Sequence, residues 1–325
     1  MKQHSNTHIG ILAPNWLGDV VMAQPAMMAI AQHYPDAHIH LTGRPWLKGL
    51  LPFLNLKHAE YRDDILASQQ LFLFRNSLHS AWQAFRSGST QRYGFKHEYR
   101  SILLNPALSP QLDMRHEHHR DYFLDLVEQA DIPVTQREVQ LSASDGDLQA
   151  GQALLREHQI DPNRAICIAP GAQFGGAKRY PSESYAHVLK WLSKLGWQPV
   201  ILGTPEEFNV GEQCLAKTST LAWNAAGKTS LQQALQLIAT ARLTLCNDSG
   251  LMHISAGFNK PTVGIFGATE PQRTAPSGEH VSLLYQPAAC SPCLQRECHV
   301  SGQPCMSNIL PEQVRDACLQ YLQHS

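Results

Sequence analysis

The apolar residues first gather in a short run, His8-Ile-Gly-Ile-Leu-Ala13, unbroken in the way of a strand buried on both faces. A loop, Pro14-Asn-Trp-Leu-Gly18, follows it. From Asp19 to His33 apolar positions recur at helical spacing, and residues 38–42 read as a second strand. The chain thus opens as a βαβ-like unit with short connections. Between about Arg75 and Arg100 the periodicity is lost and the chain turns basic, and helical spacing returns over residues 120–130. The second half is more regular. Residues 165–169, 198–202, 243–246 and 262–266 read as buried strands, with helical patterns at 182–195, 205–217, 231–241 and 251–258. A last helix is predicted over 311–322, with Pro311 at its first position. This alternation predicts an α/β fold with parallel sheets covered on both faces.

A chain of 325 residues exceeds one α/β core, so two domains are expected. The polar stretch Ser142-Ala-Ser-Asp-Gly-Asp147 closes the first half, and a helix over 148–158 ends at Asp161-Pro162. The domains are therefore expected at 1–160 and 161–310, followed by a C-terminal helical segment, 311–325. A net charge of -1 carries no polyanion-binding signature, so nucleic acid is not an expected partner. Residues 1–6 are polar and lack the apolar core of a signal peptide, and no run of 18 apolar residues occurs. Eight cysteines without a secretory signal fit a reducing compartment, so a cytoplasmic location is expected.

Two strand-to-helix loops carry the clearest chemistry. Asn247-Asp-Ser-Gly-Leu-Met-His253 follows a buried strand and opens a helix, where unpaired amides and the positive end of the helix dipole suit a diphosphate. An ordinary N-cap at Asp248 or Ser249 is the plainer alternative. Pro170-Gly-Ala-Gln-Phe-Gly-Gly-Ala-Lys-Arg-Tyr-Pro181 also joins a strand to a helix, and combines three glycines with Lys178 and Arg179. Two such loops at one sheet edge favour an anionic ligand over a solvated surface. In the first half, Asp19 follows Gly18 at another strand–helix junction, where it could cap the helix or act as a base. From Arg75 to Arg100 five Lys/Arg stand against one acid, Glu98. Near the C-terminus, Cys290, Cys293, Cys298 and Cys305 lie within sixteen residues and could form a tetrahedral structural zinc site, with His299 a further ligand candidate. A cysteine- and proline-rich loop without metal is the other reading. The run His116-Glu-His-His119 reads as an exposed polar turn without partners.

The two loops, with Gly227-Lys-Thr-Ser-Leu231, the run 261–269 ending in Gly267-Ala-Thr269, and Gly18-Asp19, resemble the ADP-heptose:lipopolysaccharide heptosyltransferases, glycosyltransferase family 9. The resemblance spans nearly the whole chain, is strongest over 165–310, and is closest to the type II branch that adds the second inner-core heptose. It implies a GT-B fold, two Rossmann-like doubly wound domains facing a cleft, the first for the acceptor and the second for the ADP-sugar donor. It also implies inverting transfer without a cofactor. By the same resemblance Asp19 and Lys178 are catalytic. Gln173, Lys178, Arg179, Lys228, Thr229, Asp248, Ser249, Gly250, Leu251 and His253 line the donor site. Glu206 or Glu207 meets the ribose, with the choice open. The basic cluster suggests that Arg75, Arg92 and Arg100 face an anionic acceptor, and Arg92-Tyr-Gly-Phe95 also resembles a family feature; the acceptor the family implies is a lipid A–inner core molecule at the inner face of the bacterial inner membrane. No obligatory protein partner is evident. Alternatives are a type I, type III or other family 9 transferase, a nucleotide-sugar epimerase of the same fold, and a non-catalytic nucleotide binder. A dehydrogenase is disfavoured, because no Gly-x-Gly-x-x-Gly follows the first strand.

Overall fold

The computed structural model describes residues 7–113 and 116–323. The chain divides into two compact units, Met1–Ser142 and Ala143–Ser325. In the first, β1 (His8–Leu12), β2 (His38–Thr42), β3 (Ala59–Arg62), β4 (Gln70–Leu73), β5 (Gln91–Phe95) and β6 (Ala107–Leu108) form a parallel sheet in the order β3-β2-β1-β4-β5-β6. In the second, β7 (Ala165–Ala169), β8 (Gln198–Ile201), β9 (Trp223–Asn224), β10 (Thr244–Asn247), β11 (Thr262–Phe266) and β12 (Val281–Tyr285) repeat that arrangement as β12-β11-β10-β7-β8-β9. Each sheet therefore reverses its winding beside its first strand, between β1 and β4 and between β7 and β10. Open α/β sheets bind ligands at the carboxyl ends of such a pair.

Strands β7 and β11 are buried along their whole length, as their unbroken apolar runs require. The amphipathic helix Ser182–Lys194 covers one face of the second sheet with Tyr185, Val188, Leu189 and Leu192, all fully buried. Each such aliphatic side chain contributes about 1.5–3 kcal/mol. Helix Pro311–Leu322 adds Val314 and Cys318 to the same core.

The helical pattern over 19–33 resolves into two helices, Leu17–Met22 and Gln24–His33. Pro25 lies in the first turn of the second, where its missing N–H leaves no helical bond unmade. Buried Gln24 beside it donates to the Leu54 carbonyl (3.1 Å) and accepts from the Gln140 amide (3.0 Å). The stretch 75–100, irregular by pattern, holds the helix Leu78–Arg86 and β5. The helix starts where Ser77 accepts from the Ser80 amide (3.1 Å). A capping box of Ser144 and Asp147 likewise starts the helix Asp145–Glu157. That helix packs within the second unit. Asp147 accepts from Gln236 Nε2 (2.9 Å), and a Cβ at Gly151 would stand 2.5 Å from the Gln236 carbonyl oxygen. Among the described residues no helix is long and apolar enough to cross a membrane.

Candidate active site

The two strand-to-helix loops of the second unit leave adjacent strands. β7 and β10 pair in parallel, so the loop 170–181 and the segment 248–250 emerge side by side at the carboxyl edge. Asn247, the polar last residue of β10, fastens them together. Its Nδ2 donates to the Pro170 carbonyl (2.6 Å), and its Oδ1 accepts from the Tyr180 amide (3.2 Å) and the Tyr185 hydroxyl (2.9 Å). Burial pushes the Tyr185 hydroxyl well above its ordinary pKa, so it remains a donor. Within this frame Lys178 Nζ donates to Asp248 Oδ2 at 2.6 Å, and Thr269 Oγ1 donates to the same oxygen at 2.6 Å. Lys178 also lies 4.9 Å from the centre of the Phe174 ring. Asp248 does not cap the helix Gly250–Gly257. Ser249 holds the N-cap position but makes no capping bond, and its Oγ is buried without a hydrogen-bond partner. His253 is buried within this helix, Leu251 is half-buried, and Gln173 and Arg179 are exposed on the 170–181 loop.

The loops after β8 and β9 continue the same edge. Glu207 is buried, and its Oε2 accepts from the Thr204 amide (2.9 Å) in a capping box. Its other carboxylate oxygen fills the space left by the missing side chain of Gly171, 1.9 Å from where a Cβ would stand. Glu206 is exposed. Gly227 has φ +70°, and a Cβ there would meet Pro205 Cα at 2.6 Å, so a glycine is required where these loops touch. This turn presents Lys228, exposed and 4.7 Å from the Phe208 ring centre, and Thr229, whose hydroxyl donates to the Ala225 carbonyl (3.4 Å).

In the first unit Asp19 lies inside the first turn of the helix Leu17–Met22, with Trp16 at the N-cap, so it is not the capping residue. Its carboxylate is about one-third exposed, and His119 Nε2 stands 3.8 Å from Asp19 Oδ1. The expected turn without partners at 116–119 is corrected here. His116 pairs with Asp113 at 2.8 Å, His118 accepts from the Arg120 amide, and His119 opens the helix His119–Glu128 stacked on Tyr122. Sequence reasoning missed His119 because its partner is a hundred positions away.

The three arginines expected on an acceptor face separate. Arg75 follows β4 at the carboxyl edge, donates through Nε to the Ala13 carbonyl (2.6 Å), and keeps Nη2 buried without a partner. Burial, and then the nearby Arg44 guanidinium, lower its pKa. Arg44 follows β2 just as Arg75 follows β4, and was also missed. Its signal is a Gly-Arg pair directly after a strand. Arg92 sits at the second position of β5, away from the carboxyl edge, with its guanidinium on the Leu103 (2.8 Å) and Ser89 (2.5 Å) carbonyls. Arg100 is fully buried and donates to the Arg75 carbonyl and to Asn76 Oδ1. Neither presents a free cation to an acceptor. A charge run that looked like a solvated face is partly folded inward.

The cysteines do not assemble as a tetrahedral set. Among the described residues no three His, Cys, Asp or Glu side chains are grouped to hold a metal ion. Cys290 is exposed, Cys293 and Cys298 are half-buried, and Cys305 is buried. Burial raises the Cys305 pKa, and the neighbouring thiols add to the shift. The segment's visible role is contact with the 170–181 loop. The Ala177 amide donates to the Arg296 carbonyl (2.9 Å), Glu297 accepts from the Gly176 amide (3.1 Å), and Gln303 Nε2 donates to the Gly176 and Ala177 carbonyls (3.1 and 2.8 Å).

Two doubly wound parallel sheets give the chain the GT-B fold, and the family match makes it a glycosyltransferase. The chain belongs to glycosyltransferase family 9 (heptosyltransferase), whose match covers residues 66–303. It is 31% identical over 309 residues to lipooligosaccharide heptosyltransferase 2 of Haemophilus influenzae, covering 85% of this chain and 88% of that protein. It is 32% identical over 309 residues to lipopolysaccharide heptosyltransferase 2 of Escherichia coli K12, covering 84% and 86%. The solved structure of E. coli ADP-heptose lps heptosyltransferase II is similar with a TM-score of 0.81 and 25% identity, over 98% of this chain and 99% of that one.

Proposed function

We propose that this enzyme transfers heptose from ADP-heptose to the lipopolysaccharide inner core with inversion at the anomeric carbon, adding the second heptose. The observation that carries the donor assignment is the Lys178–Asp248–Thr269 cluster beside the uncapped helix at Gly250. A diphosphate fits there. Lys178 and the amides of Ser249, Gly250 and Leu251 would bind its oxygens, and Asp248, released by Lys178, would turn to sugar hydroxyls. Glu207, beside Gly171 at the same edge, is better placed for the ribose than exposed Glu206. Lys228 and Thr229 would line the nucleotide. The acceptor is assigned to the first unit, at Asp19, Arg44 and Arg75.

In the proposed step the Asp19 carboxylate takes the proton of the acceptor hydroxyl as that oxygen bonds to the anomeric carbon. The bond from that carbon to the β-phosphate oxygen breaks on the opposite face, and ADP leaves with the bonding pair, stabilised by Lys178 and the helix amides. The transition state is oxocarbenium-like, by analogy with glycoside hydrolysis. No cofactor takes part, and the cysteine segment supports the 170–181 loop. The acceptor is assigned to the cytoplasmic face of a membrane. The test is incubation with ADP-heptose and defined truncated core acceptors, read by mass spectrometry and by NMR of the new linkage. One added heptose of inverted configuration on a one-heptose acceptor is expected. No product, or retained configuration, would overturn the reading.

A further inference from the structure

The helix Leu78–Arg86 carries an apolar stripe wider than the core covers. Its inner side packs Ala81 and Ala84 against Leu12, Leu71 and Leu73. His79, Gln83 and Arg86 form the polar side usual for a surface helix, and the flank of the stripe beyond the core would ordinarily be polar too. Instead Leu78, Trp82 and Phe85, at helical spacing i, i+4, i+7, stand exposed, Trp82 by 45% and Phe85 by 53%. The adjoining 3-10 turn, Arg100–Leu103, packs against this helix and adds Ile102, 87% exposed, with Tyr99 before it at 84%. Of the twelve exposed large apolar side chains among the described residues, these five fall within 78–102. Isolated exposed apolar residues are ordinary, whereas concentration on one surface marks an interaction site.

The charges of this surface identify the partner. Arg86 lies 4.8 Å from the Trp82 ring centre, whereas Arg92, 5.5 Å from that of Phe85, is held on the Leu103 and Ser89 carbonyls and adds no free cation. Lys96 is exposed, and Glu98 is the one acid between 75 and 104. Cations interleaved with aromatic rings match the headgroup layer of an anionic bilayer, in which rings sink below the phosphates and cations stay level with them. A nine-residue helix, about 13 Å long, is too short to span a membrane and suited to lie in its surface. We infer that the surface formed by Leu78, Trp82, Phe85, Tyr99 and Ile102, with Arg86 and Lys96, docks this enzyme on an anionic phospholipid bilayer. The inference rests on the proposed acceptor being lipid-borne, and names the surface that meets the lipid.

The test is co-sedimentation of the full chain with phosphatidylglycerol/phosphatidylethanolamine vesicles and with neutral phosphatidylcholine vesicles. The wild type should bind the anionic vesicles, less so as salt rises. Trp82→Ser/Phe85→Ser should lower that affinity about tenfold or more, and Arg86→Glu should lower it only on anionic vesicles. Neither change should alter transfer to a deacylated, soluble acceptor, while transfer to an acceptor embedded in vesicles should fall. Wild-type protein that ignores anionic vesicles, or variants that bind them unchanged, would overturn the inference. So would a wild-type dimer that the variants split without vesicle binding, which would assign the surface to a second copy of the chain. Vesicle binding without transfer to either acceptor would leave the docking surface standing and sink the proposed function instead.

Discussion

Lys178 and Asp248 can be separated as a structural pair and as ligand contacts by a double-mutant cycle. Their side chains are 14% and 7% exposed and meet at 2.6 Å, with Thr269 as a second donor to Asp248. Lys178→Met keeps the aliphatic stem near Phe174 but strands the Asp248 carboxylate with one hydroxyl donor. Breaking a buried pair from one side costs about 3–5 kcal/mol, and the residual exposure of Lys178 points to the lower end, about 3 kcal/mol. Asp248→Asn removes the stranded charge and still accepts from Thr269, so the double variant should regain most of that loss, with a coupling of about 2 kcal/mol. ADP binding should behave differently. In the Asp248→Asn background, Lys178→Met removes a charge-assisted contact to the diphosphate worth about 1.5–3 kcal/mol, roughly 10- to 150-fold in Kd. Urea unfolding reads the first quantity and calorimetric titration with ADP the second. If Lys178→Met leaves stability intact, the pair is not the buried one described. If the double variant binds ADP as tightly as Asp248→Asn alone, Lys178 does not touch the donor.

Asp19→Asn should fold normally and bind ADP unchanged while kcat falls by about 10²–10⁴, the usual contribution of a positioned base; a near-normal kcat removes Asp19 from the chemistry. Arg44→Ala and Arg75→Ala should each raise the acceptor KM more than the ADP-heptose KM and blunt its salt dependence, and equal effects on both would refute an acceptor role. Arg100→Ala should act on stability instead, lowering the unfolding free energy by about 2–4 kcal/mol through a cavity and two unpaired acceptors, Arg75 and Asn76. For the cysteines, the raised Cys305 pKa leaves less thiolate at neutral pH, so iodoacetamide should modify exposed Cys290 well ahead of Cys305. Protein purified without metal-affinity resin should carry less than stoichiometric zinc; one equivalent lost on Cys293→Ser would establish the metal site.

The second sheet was legible because its central strands are buried on both faces, and unbroken apolar runs report this directly. β7 and β11 fall on the predicted spans, and β10 is displaced by one residue because Asn247 is polar for a reason outside the strand. Strands with mixed exposure were not legible. β3 alternates half-buried and exposed positions and presents no apolar run, and β12, half-buried throughout, has its apolar run broken by Ser282. β5, Gln-Arg-Tyr-Gly-Phe, begins with two polar residues, of which Arg92 ties the strand to the Leu103 and Ser89 carbonyls. The helix at 145–157 was read three residues late, because its first turn, Asp-Gly-Asp, has a loop's composition and is helical through the Ser144–Asp147 cap.

The site follows the same division between local and distant causes. The placement of Lys178, Asp248 and Gly250 at one sheet edge could be read from the sequence because a strand-to-helix loop determines their position locally, and adjacency of β7 and β10 does the rest. Arg44, Arg75 and His119 depend on which strands become neighbours. Once β1 lies between β2 and β4, the residues just after all three strands must share one edge, which places Arg44 and Arg75 on the edge from which the Asp19 helix starts. The same topology explains why a basic run was a poor guide. Arg92 enters a strand and Arg100 enters the interior, so only the cations at the carboxyl edge or on the outer helix remain for ligands. Position relative to the winding reversal, not local charge density, therefore decides which arginines of the first unit reach the carboxyl edge, where the proposed acceptor would bind.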